Sequence, residues 1–538
     1  MKTKLLFFFL FTSITISAQI EDAWVYFNDK PNSPYYLSNP LDMLSQRALD
    51  RRTTQGIALD VVDAPVEQTY IDQITAATGI TVMAKSKWLN ALHIRGTQVD
   101  IQTLTGFSFI DYIDFANHSL NPGGRVSGSN KSKNISKQSE LATTFNYGNS
   151  ANQIEMLNGH LLHQSNYTGQ GKIVAILDAG FPGVNTASSF QRLRDNNLIL
   201  GGYNFPDRDT NIYSRHNHGT NVLSTIGGYV DGQLVGTAPD ASFYLFITED
   251  VNSENPVEES YWVEAAEMAD SLGVDVINSS LGYSTYDNPN YSYNYSHRTG
   301  LVGFASRGAD VAYTRGMICV ISAGNDGNGS EPHISIPADA INVLTIGAVT
   351  STETYASFSS IGPSFDGRIK PDVCAKGQNA TVSDTSGGIT TSSGTSFSSP
   401  IMAGMVATFW SAVPNMTNTQ IMNFIKQSAD QYATPDQFKG YGVPDFELAL
   451  NNALSAEELR ETNLVIYPNP SNEIIFLKST NNTLKGELVL YNNLGQKVLQ
   501  NEVINNDQGI SVSSLTSGVY LYEFISKNSI LRGKLMKQ

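Results

Sequence analysis

Three polar residues stand where an open sheet could present them together. Asp178 ends the apolar run Lys172–Leu177, His218 opens a predicted helix, and Ser396 opens another within Gly394–Pro400. A serine attacks a carbonyl when a base removes its proton, and an imidazole base needs a carboxylate to fix its tautomer and stabilise its cation. The three residue types therefore fit acyl transfer, provided that the fold brings them together.

Asn325, after the apolar run Met317–Ile321, could assist the same chemistry. A tetrahedral intermediate carries negative charge on the former carbonyl oxygen, and a fixed amide N–H can stabilise that charge. The backbone N–H of Ser396 is the second expected donor, because a helix N-terminus favours an anion.

Each of these residues also has a simpler interpretation. Asp178 could be a turn or cap residue, and Ser396 could be an N-cap. His218 and His216 could form half of a metal pair, although no cysteine or glutamate lies nearby in ligand spacing. Their joint occurrence favours the catalytic interpretation.

The elements that must position these residues alternate over residues 140–455. Apolar runs predict strands at Lys172–Leu177, Ser242–Ile247, Val274–Ile277, Met317–Ile321 and Val343–Ile346. Helical patterns cover Val257–Leu272, Ala305–Arg315 and Ser398–Trp410. This alternation predicts an α/β domain whose parallel sheet is flanked by helices on both faces.

The remaining segments differ in character. Residues 1–18 have the charge, apolar run and small residues of a signal peptide. Residues 19–120 mix strand and helix patterns and predict a small α+β domain, and residues 121–139 predict a linker. Residues 462–538 alternate in period two between turns and predict a small β-sandwich.

Composition narrows the class of protein. The chain of 538 residues has a net charge of -16, with 41% hydrophobic and 16% charged residues. These values indicate several globular domains and disfavour nucleic acid as a partner. No run beyond the signal peptide predicts a transmembrane segment in the mature protein. Cys319 and Cys374 could pair if adjacent, or could be two buried thiols.

Four motifs resemble those of the subtilisin family of serine peptidases, in the family's order. They are Ala175–Gly180, His216–Thr220, Ser322–Asn325 and Gly394–Pro400, and the one departure is Phe397, where many members have methionine. The resemblance covers roughly residues 146–454. It implies a secreted serine endopeptidase that acts on polypeptides.

The same resemblance assigns roles to residues of this chain. It implies that Asp178, His218 and Ser396 are a catalytic triad, that Asn325 is the oxyanion donor, and that the chemistry needs no cofactor. It further implies that two segments form the walls of the primary substrate pocket: Ser280, Leu281 and Gly282 on one side, and Ser322, Ala323 and Gly324 on the other. The floor is expected near residues 333–337, and the pocket is expected to be largely apolar.

Two neighbouring segments have open interpretations. Tyr283–Thr299, with five tyrosines, could extend the cleft as a rim loop or could cover the core. The acidic stretch Glu249–Glu259 is interpreted as a solvated loop, with a structural calcium site as the alternative.

Residues 19–120 resemble the inhibitory propeptides of this family, with a permanent accessory domain as the alternative. The C-terminal segment resembles the sorting domain of the type IX secretion system of Bacteroidetes, through Tyr467–Pro470, Leu494–Val498, Ile510–Leu515, Gly518–Tyr520 and Lys534–Lys537. That resemblance implies passage through the periplasm to the outside or to the outer surface. A generic binding sandwich is the alternative for the tail, and a catalytically silent surface adhesin is the alternative for the whole protein.

Overall fold

The computed structural model describes residues 19–121, 145–461, 464–479, 485–526 and 530–538. The predicted signal peptide and nearly all of the predicted linker lie outside the described residues.

The N-terminal domain is built on a four-stranded antiparallel sheet in the order β2-β3-β1-β4. Its strands are β1 (Ile20–Phe27), β2 (Thr81–Ser86), β3 (Ala91–Thr97) and β4 (Ile110–Phe115). Its helices are α1 (Ser33–Ser38), α2 (Gln46–Gln55), α3 (Gln68–Thr75) and α4 (Gln98–Thr103). The predicted α+β class is confirmed.

The middle domain contains the elements that the sequence analysis associates with chemistry. Its strands are β5 (Ile173–Asp178), β6 (Ile199–Asn204), β7 (Tyr229–Val230), β8 (Leu234–Val235), β9 (Ser242–Ile247), β10 (Val276–Ser279), β11 (Ile318–Ser322), β12 (Leu344–Val349), β13 (Val373–Lys376), β14 (Ala380–Ser383) and β15 (Ile389–Ser392). Its helices are α5 (Ala151–Glu155), α6 (Gly159–Gln164), α7 (Gln191–Asp195), α8 (His218–Gly227), α9 (Val257–Leu272), α10 (Phe304–Thr314), α11 (Thr395–Ala412), α12 (Asn418–Gln427) and α13 (Phe446–Glu461).

A seven-stranded parallel sheet in the order β13-β12-β11-β10-β5-β9-β6 forms the centre of this domain. Helices α8 and α11 pack on one face and α9 and α10 on the other. The apolar patterns predict the five inner strands but miss the edge strands β6 and β13. Strand β6 contains Gly201 and Gly202 and is partly exposed, so it lacks the continuous apolar pattern of a strand covered on both faces.

Strand β1 is buried on both faces because the N-terminal sheet packs against the middle domain. Ala23 and Val25 belong to the domain's own core, whereas Trp24 and Tyr26 join the core around α9 and α10. The indole Nε1 of Trp24 donates to Ser260 Oγ on α9 at 2.8 Å. This contact makes α9 the shared element of the two domains.

Helix α2 makes a second contact, which we call the arginine clamp. Arg51 and Arg52 reach the Asp270 carboxylate near the end of α9, with contacts of 2.5 and 2.7 Å, and all three side chains are buried. Arg47 lies 2.7 Å from Asp275, just before β10. The arginine clamp therefore contacts the middle domain at the edge of the parallel sheet where the inner strands begin.

The C-terminal domain consists of a three-stranded sheet (β16-β17-β20) and a four-stranded sheet (β19-β18-β21-β22). Its strands are β16 (Leu464–Tyr467), β17 (Ile474–Ser479), β18 (Gly486–Tyr491), β19 (Lys497–Val503), β20 (Gln508–Ser511), β21 (Gly518–Ser526) and β22 (Ile530–Lys537). One apolar cluster draws residues from both sheets, as expected for a sandwich. Within the described residues, every helix of the protein is too short or too polar to cross a bilayer.

Candidate active site

Several of the residues singled out above lie at the carboxyl ends of neighbouring strands. Strand β5 ends at Asp178, β10 at Ser279 and β11 at Ser322, and these three strands are parallel neighbours. The carboxyl ends of parallel strands meet at one edge, where open α/β sheets bind their ligands. Topology thus brings together segments that are remote along the chain.

Asp178 and His218 form a direct pair at this edge. The Asp178 carboxylate is fully buried, and its Oδ1 accepts from His218 Nδ1 at 2.8 Å and from Ala179 N at 2.7 Å. Donation from Nδ1 leaves the lone pair of a neutral imidazole on Nε2, where a base requires it.

The environment of His218 adjusts its proton affinity. Burial by itself lowers the pKa of the imidazole, but the charge and hydrogen bond of Asp178, with a contribution from Glu249, outweigh burial and raise it. The imidazolium formed when His218 takes a proton is therefore stabilised.

Ser396 lies in the first turn of α11, next to this pair. The ring centroids of His218 and Phe397, the residue after the serine, are 6.0 Å apart. Within the described residues, Ser396 Oγ donates to the Ser280 carbonyl at 3.4 Å rather than to His218. Catalytic hydrogen bonds often tighten only when substrate binds, so the bond from Ser396 to His218 stays a prediction.

The side-chain amide of Asn325 is positioned by hydrogen bonds from Thr395 of the serine motif. Its Oδ1 accepts from Thr395 N at 2.9 Å and from Thr395 Oγ1 at 3.1 Å, which leaves Nδ2 as the donor. A first side-chain carbon at Gly394 would lie 3.7 Å from both Asn325 Nδ2 and Ser396 N. The two expected oxyanion donors thus border the same space, which a glycine keeps open.

Sequence reasoning assigned no role to Thr395 or Gly394, although both belong to the serine motif. Gly394 has a φ of +154°, a backbone angle that residues other than glycine rarely adopt. The serine motif was the sequence signal for both residues. Which motif residues contact Asn325, however, depends on how closely the end of β11 approaches the start of α11.

The two expected pocket walls follow β10 and β11 and are joined by one segment. Ser335 N donates to the Ala323 carbonyl at 3.0 Å, and Ile336 N donates to the Tyr283 carbonyl at 3.2 Å. Residues 334–336 therefore lie between the walls, within the range expected for the floor. The binding roles of these residues stay predictions.

The solvated-loop interpretation of Glu249–Glu259 is wrong for its glutamates at the two ends. Glu249, Glu258 and Glu259 are buried, and burial raises the pKa of Glu249 to about 7 and that of Glu258 to about 10. Tyr283 OH donates to Glu249 at 2.8 Å. The carboxylates are accommodated by such hydrogen bonds, which a sequence pattern does not reveal.

The same contacts favour core covering over a rim loop for Tyr283–Thr299. Tyr283, Tyr286, Tyr291 and Tyr293 are buried. Two of them, Tyr286 and Tyr293, donate to Glu259 at 2.7 and 2.6 Å. The tyrosines thus cover the buried glutamates of α9.

Cys319 and Cys374 are free, buried thiols, in agreement with one of the two interpretations. In the described part of the chain, no three His, Cys, Asp or Glu side chains converge to hold a metal ion. The possible structural calcium stays a prediction.

Comparison with known proteins assigns the middle domain to a class. Residues 169–442 match the profile of the Subtilase family, half of the chain, and the protein therefore belongs to that family. Subtilisin NAT of Bacillus subtilis subsp. natto is 30% identical over 313 residues, which cover 58% of this chain and 72% of the relative. Subtilisin DY of Bacillus licheniformis is 30% identical over 290 residues, covering 54% and 92%. The crystal structure of MycP1 from the ESX-1 type VII secretion system aligns with 59% of this chain and 90% of its own, with 22% identity and a TM-score of 0.44.

The flanking domains also match known families. Residues 22–137 match the peptidase S8 propeptide domain of Bacteroidota, and residues 465–538 match the secretion system C-terminal sorting domain. The chain is thus a serine peptidase of the subtilase family with a propeptide and a type IX sorting domain. The sorting domain directs the protein to the extracellular space or the outer surface.

Proposed function

We propose that the protein is a secreted endopeptidase that cleaves peptide bonds through an acyl-enzyme on Ser396. The observation that carries this proposal is the pair formed by the buried Asp178 and His218 Nδ1 at 2.8 Å, beside the helix that begins with Thr395 and Ser396.

In the proposed reaction, His218 Nε2 takes the proton of Ser396 Oγ as Oγ attacks the substrate carbonyl carbon. Asn325 Nδ2 and Ser396 N donate to the resulting oxyanion. The carbon–nitrogen bond then breaks, and His218 gives its proton to the departing amine. Water, deprotonated by His218, attacks the acyl-enzyme and releases the acid product and Ser396.

We further propose that the N-terminal domain inhibits the peptidase until the chain after it is cut. The support is the end of that domain, where the His118 ring lies 4.8 Å from that of His297 and 5.4 Å from that of Tyr293. Both partners belong to the segment that follows the Ser280–Gly282 wall. The N-terminal domain therefore ends against the segment that follows a proposed substrate-binding wall in the chain.

Labelling with a fluorophosphonate probe tests the catalytic proposal. The secreted, processed protein should label at one serine, and Ser396→Ala should remove the label. Ser393→Ala is the matched control, because its hydroxyl lies directly before the serine motif but accepts from Asn379 N, and it should label normally. A processed wild-type protein that does not label would instead support the silent adhesin.

A further inference from the structure

The segment that joins the two proposed pocket walls carries one buried hydroxyl with no partner. Ser335 is 3% exposed, and its Oγ makes no hydrogen bond within the described residues. A buried hydroxyl without a partner loses its bonds to water and gains none in return. Such a group persists most readily where a ligand completes it.

The position of this hydroxyl is between the walls. A first side-chain carbon at Gly282 would lie 2.3 Å from Ser335 Oγ, and one at Gly324 would lie 3.4 Å from the same atom. The two glycines, one from each wall, thus face Ser335 without a side chain of their own. A substrate side chain that enters between the walls meets the serine as its floor.

Neighbouring polar groups are already engaged by the protein. Ser360 Oγ accepts from Asp326 N at 3.0 Å, and Asp339 accepts from Ser306 Oγ at 2.5 Å and from Gly300 N at 2.7 Å. The hydroxyl of Ser335 is thus left for a substrate, and it is uncharged.

The buried guanidinium near the floor is only partly engaged. Arg298 donates to the Ile334 carbonyl, and its Nη2 donates to Ser284 Oγ at 3.2 Å, but its Nε has no hydrogen-bond partner within the described residues. The polar atom that faces the two wall glycines is nevertheless the neutral hydroxyl of Ser335.

We infer that Ser335 makes this peptidase prefer a short, neutral, hydrogen-bonding side chain (serine, threonine or asparagine) at the residue whose carbonyl is attacked. The inference rests on the proposed function and refines it. The composition of the walls predicts an apolar pocket. Ser335, as the floor, adds one polar atom and limits the depth of that pocket. Threonine and valine have nearly the same shape, so the hydroxyl alone distinguishes them.

The test uses the secreted, processed enzyme and internally quenched peptides that differ only at this residue. The wild type should cleave after threonine with a kcat/KM about tenfold above that for cleavage after valine, because threonine gains one net hydrogen bond. The kcat/KM for cleavage after asparagine should likewise exceed that for cleavage after leucine, and cleavage after phenylalanine should be slow. Equal or better cleavage after valine overturns the inference.

Three variants separate the hydroxyl from the depth of the pocket. Ser335→Ala should remove the preference for threonine over valine, and Ser335→Gly should raise cleavage after leucine and phenylalanine. Ser428→Ala is the matched control, because it deletes a buried hydroxyl that is paired with Ile425 on α12, and it should keep the wild-type profile. If Ser335→Ala retains the preference, Ser335 does not set it.

Failure of the inference and failure of the proposed function give different results. An enzyme that cleaves peptides with another preference contradicts only the role of Ser335. A processed protein that cleaves none of the peptides and does not label with fluorophosphonate contradicts the peptidase proposal itself.

Discussion

The two edges of the seven-stranded sheet are built in opposite ways. At the carboxyl edge, Asp178 Oδ2 and Ser335 Oγ are buried without a partner in the described residues. At the amino edge, Asp270 is just as buried but its carboxylate meets Arg51 and Arg52 of the N-terminal domain, although one nitrogen of Arg51 and two of Arg52 make no hydrogen bond within the described residues. Burial opposes ionisation of Asp270, yet these arginines hold its pKa below the usual range.

The difference concerns the carboxylates and the groups that pair with them. Unpaired buried atoms cost stability, and those of Asp178 and Ser335 lie where a substrate is proposed to bind. The Asp270 carboxylate at the amino edge is instead paired within the chain, by a domain that matches a propeptide family. Substitutions at the carboxyl edge should therefore change catalysis, and substitutions in the arginine clamp at the amino edge should change how tightly the N-terminal domain is held.

The largest expected effect is at the carboxyl edge. Ser396→Ala should lower turnover by about 10⁶-fold, the size known for the nucleophile of a subtilisin. If processing is autocatalytic, the variant should also keep its N-terminal domain attached, which a shift in mass on a denaturing gel measures. Normal trimming would assign that cut to another peptidase.

Loss of the oxyanion donor should have the next largest effect. Asn325→Ala should lower kcat by about 10²–10³-fold with little change in KM, the size known for this donor in subtilisin. Steady-state kinetics on one peptide measures it. Asn328→Ala, an exposed asparagine of the same loop, should be nearly silent. A change confined to KM would contradict the role of Asn325.

At the amino edge, Asp270→Ala should weaken retention of the N-terminal domain without touching the catalytic groups. Removing one partner of a buried pair costs about 2–5 kcal/mol, or at least about 30-fold in affinity. Here Arg51 loses its counter-charge, and Arg52 keeps only Asp63 of its own domain. The Ser396→Ala chain, cut between residues 121 and 145 by an added protease, provides the complex, and gel filtration measures its dissociation.

The matched control for that change is Asp240→Ala. Asp240 pairs with Arg192 at 2.6 Å inside the middle domain, so its loss should leave the complex intact. Equal dissociation of both variants would mean that the clamp is not what holds the domain.

The smallest expected effect concerns the pH dependence of the carboxyl edge. His218 acts as a base only when neutral, so activity should fall as the pH drops through its raised pKa. Glu249 contributes to that rise only while it is ionised, and its own pKa is raised to about 7, so Glu249→Gln should move the acid limb of kcat/KM to lower pH by less than about one unit. The exposed Glu155→Gln should leave the profile unchanged, and a shift to higher pH would contradict this reasoning.

The order of the domains, the five inner strands and the four motifs could all be predicted from sequence patterns. Buried strands such as β5 require continuous apolar runs, so their composition is readable without a structure. The motif residues are readable for a similar reason, because chemistry restricts Asp178, His218 and Ser396 to particular residue types. Strand β6 was not readable, since partial exposure and glycine remove the pattern. Strand β13 is buried, but it has only four residues and ends in a lysine, so its apolar run is too short to stand out.

Which remote groups meet depends on packing, and the sequence patterns did not reveal it. The acidic stretch looked solvated because its charges stand close together in sequence, but Glu249 and Glu259 are buried against tyrosines that come more than twenty residues later. The arginine clamp and the unpaired Ser335 hydroxyl depend in the same way on contacts between distant segments. A pattern records which side chains can be buried, whereas packing decides which partner each one finds.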